Sequence, residues 1–122
     1  MSGLRHLLDT NVAIGYLDGS DSARHLIDQY GANTANSAIS QITRIELLSY
    51  SALSAEEEAR IQPLLAAVPV ILLDDRIERE TIAVRRRVHL KLPDAIIAAT
   101  ASVHGLQLLT LDARLAAALR VP

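Results

Sequence analysis

Four acidic residues, Asp9, Glu46, Asp94 and Asp112, have types and spacing suited to a shared site. Asp9 directly follows the apolar pair Leu7-Leu8, and Asp112 follows the run QLLTL at 107–111. Asp94 opens the segment AIIAATASV, and Glu46 lies within QITRIELL. Carboxylates gathered in one place repel, since two unit charges ~5 Å apart cost about 3 kcal/mol at an effective dielectric near 20. A hard cation such as Mg2+ or Mn2+ relieves that repulsion, prefers oxygen ligands and leaves positions for water and a substrate phosphate. A cation held this way polarises phosphoryl oxygens and lowers the pKa of a bound water, which is the chemistry of phosphodiester hydrolysis.

Taken singly, each acid has a purely structural explanation. Asp9 precedes Thr10-Asn11 and suits the N-cap of a following helix, and Asp112 stands in the same relation to a short helix at 113–119. An acid in a first helical turn, as Asp94 would be, is favoured by the helix dipole alone. Glu46 lies three residues after Thr43, the spacing of a capping box. Taken together, the four fall where one edge of an α/β sheet would collect them. The other ten acids occupy turns and charge-rich helix faces, where solvation accounts for them.

The elements that must position these groups alternate along the chain. Residues 4–8 (LRHLL) predict a strand, and 11–18 a helix stopped at the Asp18-Gly19-Ser20 turn. Asp21-Ser22 suit the cap of a helix at 22–30, with Gly31 beyond its end. A weakly signalled strand at 35–39 precedes a helix at 41–53, where Ile42, Ile45, Leu48 and Leu53 recur near helical spacing. A helix at 55–67 has an acidic first turn, Glu56 to Glu58, and Pro63 limits or kinks it. Pro69 to Leu73 form the clearest strand, and a helix at about 75–89 carries Ile77, Thr81, Val84 and Val88 as one stripe. Pro93-Asp94 then open a nearly all-apolar helix ended by Gly105, followed by a strand at 107–111.

Strands alternating with helices predict one domain over residues 1–122, with a parallel sheet covered on both faces. Parallel crossovers place all strand C-termini on one edge, where binding sites form. Asp9 and Asp112 belong to that edge. Asp94 joins them if the chain turns back between 89 and 93, and Glu46 lies in the first half of the helix leaving the second strand.

Composition narrows the function classes. At 122 residues, 50% of them hydrophobic, the chain is long enough to bury a core and too apolar for disorder. It has no Phe or Trp and three Tyr, which suits parallel strands under alanine-rich helices. Without cysteine there are no disulfides, thiolate metal sites or cysteine nucleophile. No apolar run suits a signal peptide or a membrane span, so a cytoplasmic, non-membrane protein is expected. The net charge of −2 does not announce a nucleic-acid binder, although Lys91 is the only lysine among twelve cations. Arg79 and Arg86 fall on one face of the 75–89 helix, with Arg85, Arg87 and Lys91 nearby; that face is either solvated or a track for phosphates.

The pieces LLDTNVAIGYL around Asp9, SAISQITRIELL around Glu46 and LPDAIIAATASVHGLQLLTLD from Asp94 to Asp112 resemble the PIN-domain family, most closely its VapC-like toxin ribonucleases. The resemblance spans the chain. It implies a three-layer α/β/α sandwich with a parallel central sheet and Mg2+- or Mn2+-dependent cleavage of RNA. It also implies frequent homodimerisation and a cognate antitoxin that blocks the site. Carried over by position, Asp9, Glu46, Asp94 and Asp112 match the family's acidic quartet, and Asn11 and Thr110 match the small polar residues that support it.

Other chemistries find less support. The five glycines are too scattered for a P-loop or dinucleotide fingerprint, and no GxSxG elbow is present. His6, His25, His89 and His104 lack metal-ligand spacing, and most are expected to be surface or partly buried side chains. A receiver-like phosphoacceptor would use Asp74-Asp75 but wants an acid pair after the first strand, where Asp9 is followed by Thr10. A PIN-like protein that binds RNA without cutting it is the other alternative.

Overall fold

The computed structural model describes residues 3–49 and 53–119. Four strands, β1 (His6–Leu8), β2 (Ser37–Ser40), β3 (Val70–Ile71) and β4 (Gln107–Leu109), form one sheet in the order β3-β2-β1-β4. Every pairing is parallel, with Leu7 opposite Ala38 and Leu108, and Ile39 opposite Val70. Seven helices accompany them among the described residues: α1 (Thr10–Asp18), α2 (Asp21–Gln29), α3 (Gln41–Leu48), α4 (Ala55–Ala67), α5 (Asp75–Arg87), α6 (Leu92–His104) and α7 (Ala113–Ala118). The expected three-layer α/β/α sandwich is what the chain forms.

Alternation along two central strands separates the layers. Leu8 and Ile39 point to one face and pack with Val12, Ala13, Leu47, Ile61 and Leu64 from α1, α3 and α4. Leu7 and Ala38 point to the other, against Ile97 and Ala101 of α6. Beside α6 lies α5, whose Ile77 packs with Ile96 and Ala99. The stripe read on α5 is the buried one, through Ile77, Thr81 and Val84. In α6 every residue from Ala95 to Thr100 is buried, which its composition requires. Each fully buried Leu or Ile contributes about 1.5–3 kcal/mol relative to exposure.

Two glycines permit this packing. A Cβ on Gly15 would stand 2.7 Å from the Ala23 Cβ, so α1 and α2 approach as closely as they do only because position 15 lacks a side chain. Gly105, at φ 62°, takes the left-handed conformation that ends α6 and turns the chain into β4.

Several boundaries differ from the sequence reading. The strands are shorter than the expected 4–8, 69–73 and 107–111, and β2 runs to Ser40 instead of ending at 39. After Ile71 the chain leaves the sheet, Leu73 N–H donating to Gln41 Oε1 at 3.0 Å instead of to a strand. The helix expected over 41–53 stops at Leu48; Ser49 caps it and its hydroxyl bonds back to the Ile45 carbonyl. Residues 50–52 of that expectation lie outside the described residues. Ser20, not Asp21 or Ser22, caps α2, accepting the Ala23 N–H at 3.3 Å. Pro63 neither ends nor starts α4, which continues to Ala67. Three of the four histidines, His25, His89 and His104, are exposed as expected of most of them, and His6 is the exception. It is buried, its Nδ1 has no hydrogen-bond partner, and burial lowers its pKa, assisted by the nearby Arg5 charge. No helix among the described residues is long and apolar enough to cross a membrane.

Candidate active site

Asp9 is the centre of the acidic edge. It follows β1, caps α1 and is only 4% exposed, an unusual burial for a carboxylate. Its backbone N–H donates to the Leu109 carbonyl at 2.9 Å, tying the end of β1 to the end of β4. Oδ1 accepts the Thr10 N–H at 2.8 Å and Oδ2 accepts the Thr110 hydroxyl at 2.7 Å, so the side chain is fixed from both sides.

Burial pushes the Asp9 carboxyl above the usual aspartate range. The Thr110 and Thr10 hydrogen bonds oppose that rise, and the negative charges of Asp94 and Glu46 add to it. Two acids 37 and 85 positions away in sequence therefore bear on Asp9 through space. Asp94 lies in the first turn of α6, where it makes no capping hydrogen bond. It reaches this edge because the chain turns back after α5, at Val88–Lys91, and α5 and α6 pack side by side.

Glu46 is held from a direction that the sequence reading missed. The Thr10 hydroxyl donates to Glu46 Oε1 at 2.6 Å and stands 2.9 Å from the Thr43 hydroxyl. Since Thr10 gives its proton to the carboxylate, Thr43 is the donor in the second contact. The capping-box explanation of Glu46 fails, because Ser40 caps α3 and Thr43 is buried inside the helix. Glu46 stands in the last turn of α3, not in the first half of a longer helix. The only signal for Thr10 was its place beside Asp9.

Asp112 does cap α7, with Oδ1 accepting the Arg114 and Leu115 N–H groups at 2.9 and 3.2 Å. Its own N–H donates to the Thr110 hydroxyl at 3.0 Å, so Thr110 links Asp112 to Asp9. Asn11 closes this network: its Oδ1 accepts the Leu111 N–H at 3.1 Å, and its Nδ2 approaches the Thr110 hydroxyl at 3.5 Å. Asp94 and Asp112 together line a cleft of about 600 Å3. Asp74, the acid a phosphoacceptor would need, instead caps α5 by accepting the Ile77 N–H.

The edge thus presents oxygen donors of the kind hard divalent cations prefer. Among the described residues no three acids or histidines form a group that holds a metal ion unaided.

The raised Asp9 pKa gives a first prediction. The native state holds the Asp9 proton more tightly than the unfolded chain, whose aspartates titrate near ~3.9. Ionised Asp9 therefore subtracts stability, not at all below that value and fully above the raised native value. Asp9→Asn is expected to raise the melting temperature of the metal-free protein at neutral pH, with the gain shrinking as pH falls toward 4. Thermal melts of both proteins in EDTA across that range check it; a difference independent of pH would remove the burial argument.

The PIN domain family matches residues 6–120. Among solved structures, a toxin–antitoxin complex from Klebsiella pneumoniae superposes with a TM-score of 0.76 at 34% identity, covering 88% of this chain and 86% of that one. FitAcB from Neisseria gonorrhoeae aligns at a TM-score of 0.73 and 24% identity over 95% and 94% of the two chains. DNA-bound VapBC from Salmonella typhimurium aligns at 0.69 and 24% over 84% and 83%. No curated protein matches the sequence. A match to nearly the whole length, on a parallel four-stranded sheet, settles the family: the chain belongs to the PIN domain family.

Proposed function

We propose that this chain is a divalent-metal-dependent endoribonuclease and the toxin of a toxin–antitoxin pair, restrained by a cognate antitoxin and acting as a homodimer. The observation that carries the reading is Asp9, buried at the end of β1 with the charges of Asp94 and Glu46 bearing on it. Keeping a buried carboxylate ionised beside two others is costly, and a bound cation offsets that cost. The toxin–antitoxin setting is supported by the 34% identical complex from Klebsiella pneumoniae.

In this reading Asp9, Asp94 and Asp112 hold Mg2+ or Mn2+, with Glu46 either a further ligand or the group that orients the attacking water. The ion, when bound, polarises the scissile phosphate and makes water acidic enough to attack near neutral pH. The chain's own groups do the rest. Thr110 and the Thr10 N–H fix both Asp9 oxygens, so that carboxylate needs no reorganisation during reaction. The Thr10 hydroxyl holds one Glu46 oxygen and leaves the other to accept a proton or align water. Asn11 keeps the 110–112 segment, and with it Asp112, against the end of β1.

The test is cleavage of an end-labelled single-stranded RNA by the purified protein. Fragments are expected with Mg2+ or Mn2+ and none in excess EDTA. Cleavage that survives EDTA would overturn the metal; RNA binding with no cleavage under any metal would leave a binding protein in its place.

A further inference from the structure

The cleft that ends on Asp94 and Asp112 has cationic walls. Arg85, His89, Lys91 and Arg114 line it together with the two acids. The chain's own path puts them there. Arg85 lies in the last turn of α5, and the turn through His89 and Lys91 leads directly into Asp94 at the start of α6. Arg114 is two residues beyond Asp112, which caps its helix. All four basic side chains are exposed, so they border the acids without being buried against them. Their position differs from the face that the sequence suggested, since neither Arg79 nor Arg86 lines the cleft. Arg79 instead lies beside Arg76, Glu80 and Ser102 on another part of the surface.

We propose that Arg85, Lys91 and Arg114 grip the RNA backbone on either side of the scissile phosphate, an inference that rests on the ribonuclease reading of the same site. A polyanion approaching a carboxylate edge is repelled unless cations accompany the acids, and the lining of this cleft supplies them from α5, the turn before α6, and α7. Arginine forks bind phosphate oxygens bidentately and read no sequence by themselves. A cleft of about 600 Å3 falls within the ~300–1,000 Å3 of sites that hold one small ligand, room for the nucleotide unit that carries the scissile phosphate. With three tyrosines in the whole chain, and none lining this cleft, base stacking is not the grip. Single-stranded RNA therefore lies along the cleft from α7 to α5, held by its phosphates.

The experiment measures binding of a fluorescent single-stranded RNA against KCl concentration, by anisotropy, in an Asp94→Asn background that does not cut. Each lost phosphate contact flattens the plot of log affinity against log salt by about 0.7. Arg85→Ala and Arg114→Ala are each expected to flatten it by that amount, whereas Arg79→Ala leaves it unchanged. Melting curves check that these surface substitutions leave the fold intact. Unchanged slopes for Arg85→Ala and Arg114→Ala, or an equal loss for Arg79→Ala, would overturn the proposal. So would a loss of binding to an acidic protein segment alone, with RNA binding intact. Binding is read without cleavage, so the two failures are distinct. A wild type that binds with the expected slopes but never cuts would end the nuclease reading and keep the grip.

Discussion

Asp94→Asn is expected to reduce RNA cleavage to about 1% of wild type or less while leaving the fold intact. A preorganised charged group that acts on a transition state is worth about 100- to 1,000-fold in rate. Asn keeps the size of Asp94 and removes its charge, which is the property a cation or a developing phosphate charge responds to. The fold has little to lose. Asp94 makes no capping hydrogen bond in α6, and its favourable place in the helix dipole is worth about 0.3–1 kcal/mol. Loss of its charge also relieves the repulsion that Asp94 imposes on Asp9. Circular dichroism and cleavage on one sample check the pair of claims. Full activity in Asp94→Asn would sink the acidic-edge mechanism, and a collapsed spectrum would make Asp94 a structural residue instead.

The second large effect concerns metal and stability together. A ligand at ~100 times its Kd stabilises the native state by about 2.7 kcal/mol. For a domain of this size that corresponds to a rise of about 10 °C in melting temperature. Mg2+ or Mn2+ is expected to produce that rise in the wild type, because binding adds its own free energy and cancels the repulsion on buried Asp9. Asp9→Asn and Asp94→Asn should melt above the wild type in EDTA yet gain little from metal. Opposite changes in the two conditions separate a metal site from a general effect of salt on surface charges, which would raise all three proteins alike. A wild type whose melting temperature does not move across millimolar metal would refute the shared site.

Some of this was written in local sequence. The alternation of short apolar runs with helical patterns predicted the parallel sandwich, because each pattern depends only on which side chains a strand or helix must bury. Asp9 and Asp112 had to sit at the sheet's C-terminal edge, since Asp9 follows β1 directly, Asp112 comes three residues after the end of β4, and all strands run the same way. The apolar segment after Asp94 had to be central, and α6 is buried from Ala95 to Ala101. Caps at Asp9 and Asp112 were equally legible, being contacts between near neighbours, and the structure makes both while placing the same carboxylates on the acidic edge.

What pairs with what across the chain was decided only by tertiary structure. Thr10 reaches Glu46 across 36 positions and Thr110 reaches Asp9 across 101, and no local pattern encodes either contact. They exist because β1 is central and β2 and β4 flank it, which brings the segments after all three strands together. The same holds for β3, a run of five suitable residues of which two pair, with the Leu73 N–H donating to the Gln41 side chain instead of to a strand. It holds most of all for the arginines. Arg79, Arg85 and Arg86 are alike in sequence, and only the packing of α5 on α6, which buries the Ile77–Thr81–Val84 stripe, turns Arg85 toward the acidic cleft and leaves Arg79 elsewhere. Helical periodicity fixes which residues share a face; what that face meets depends on a neighbour the chain reaches only after it has folded.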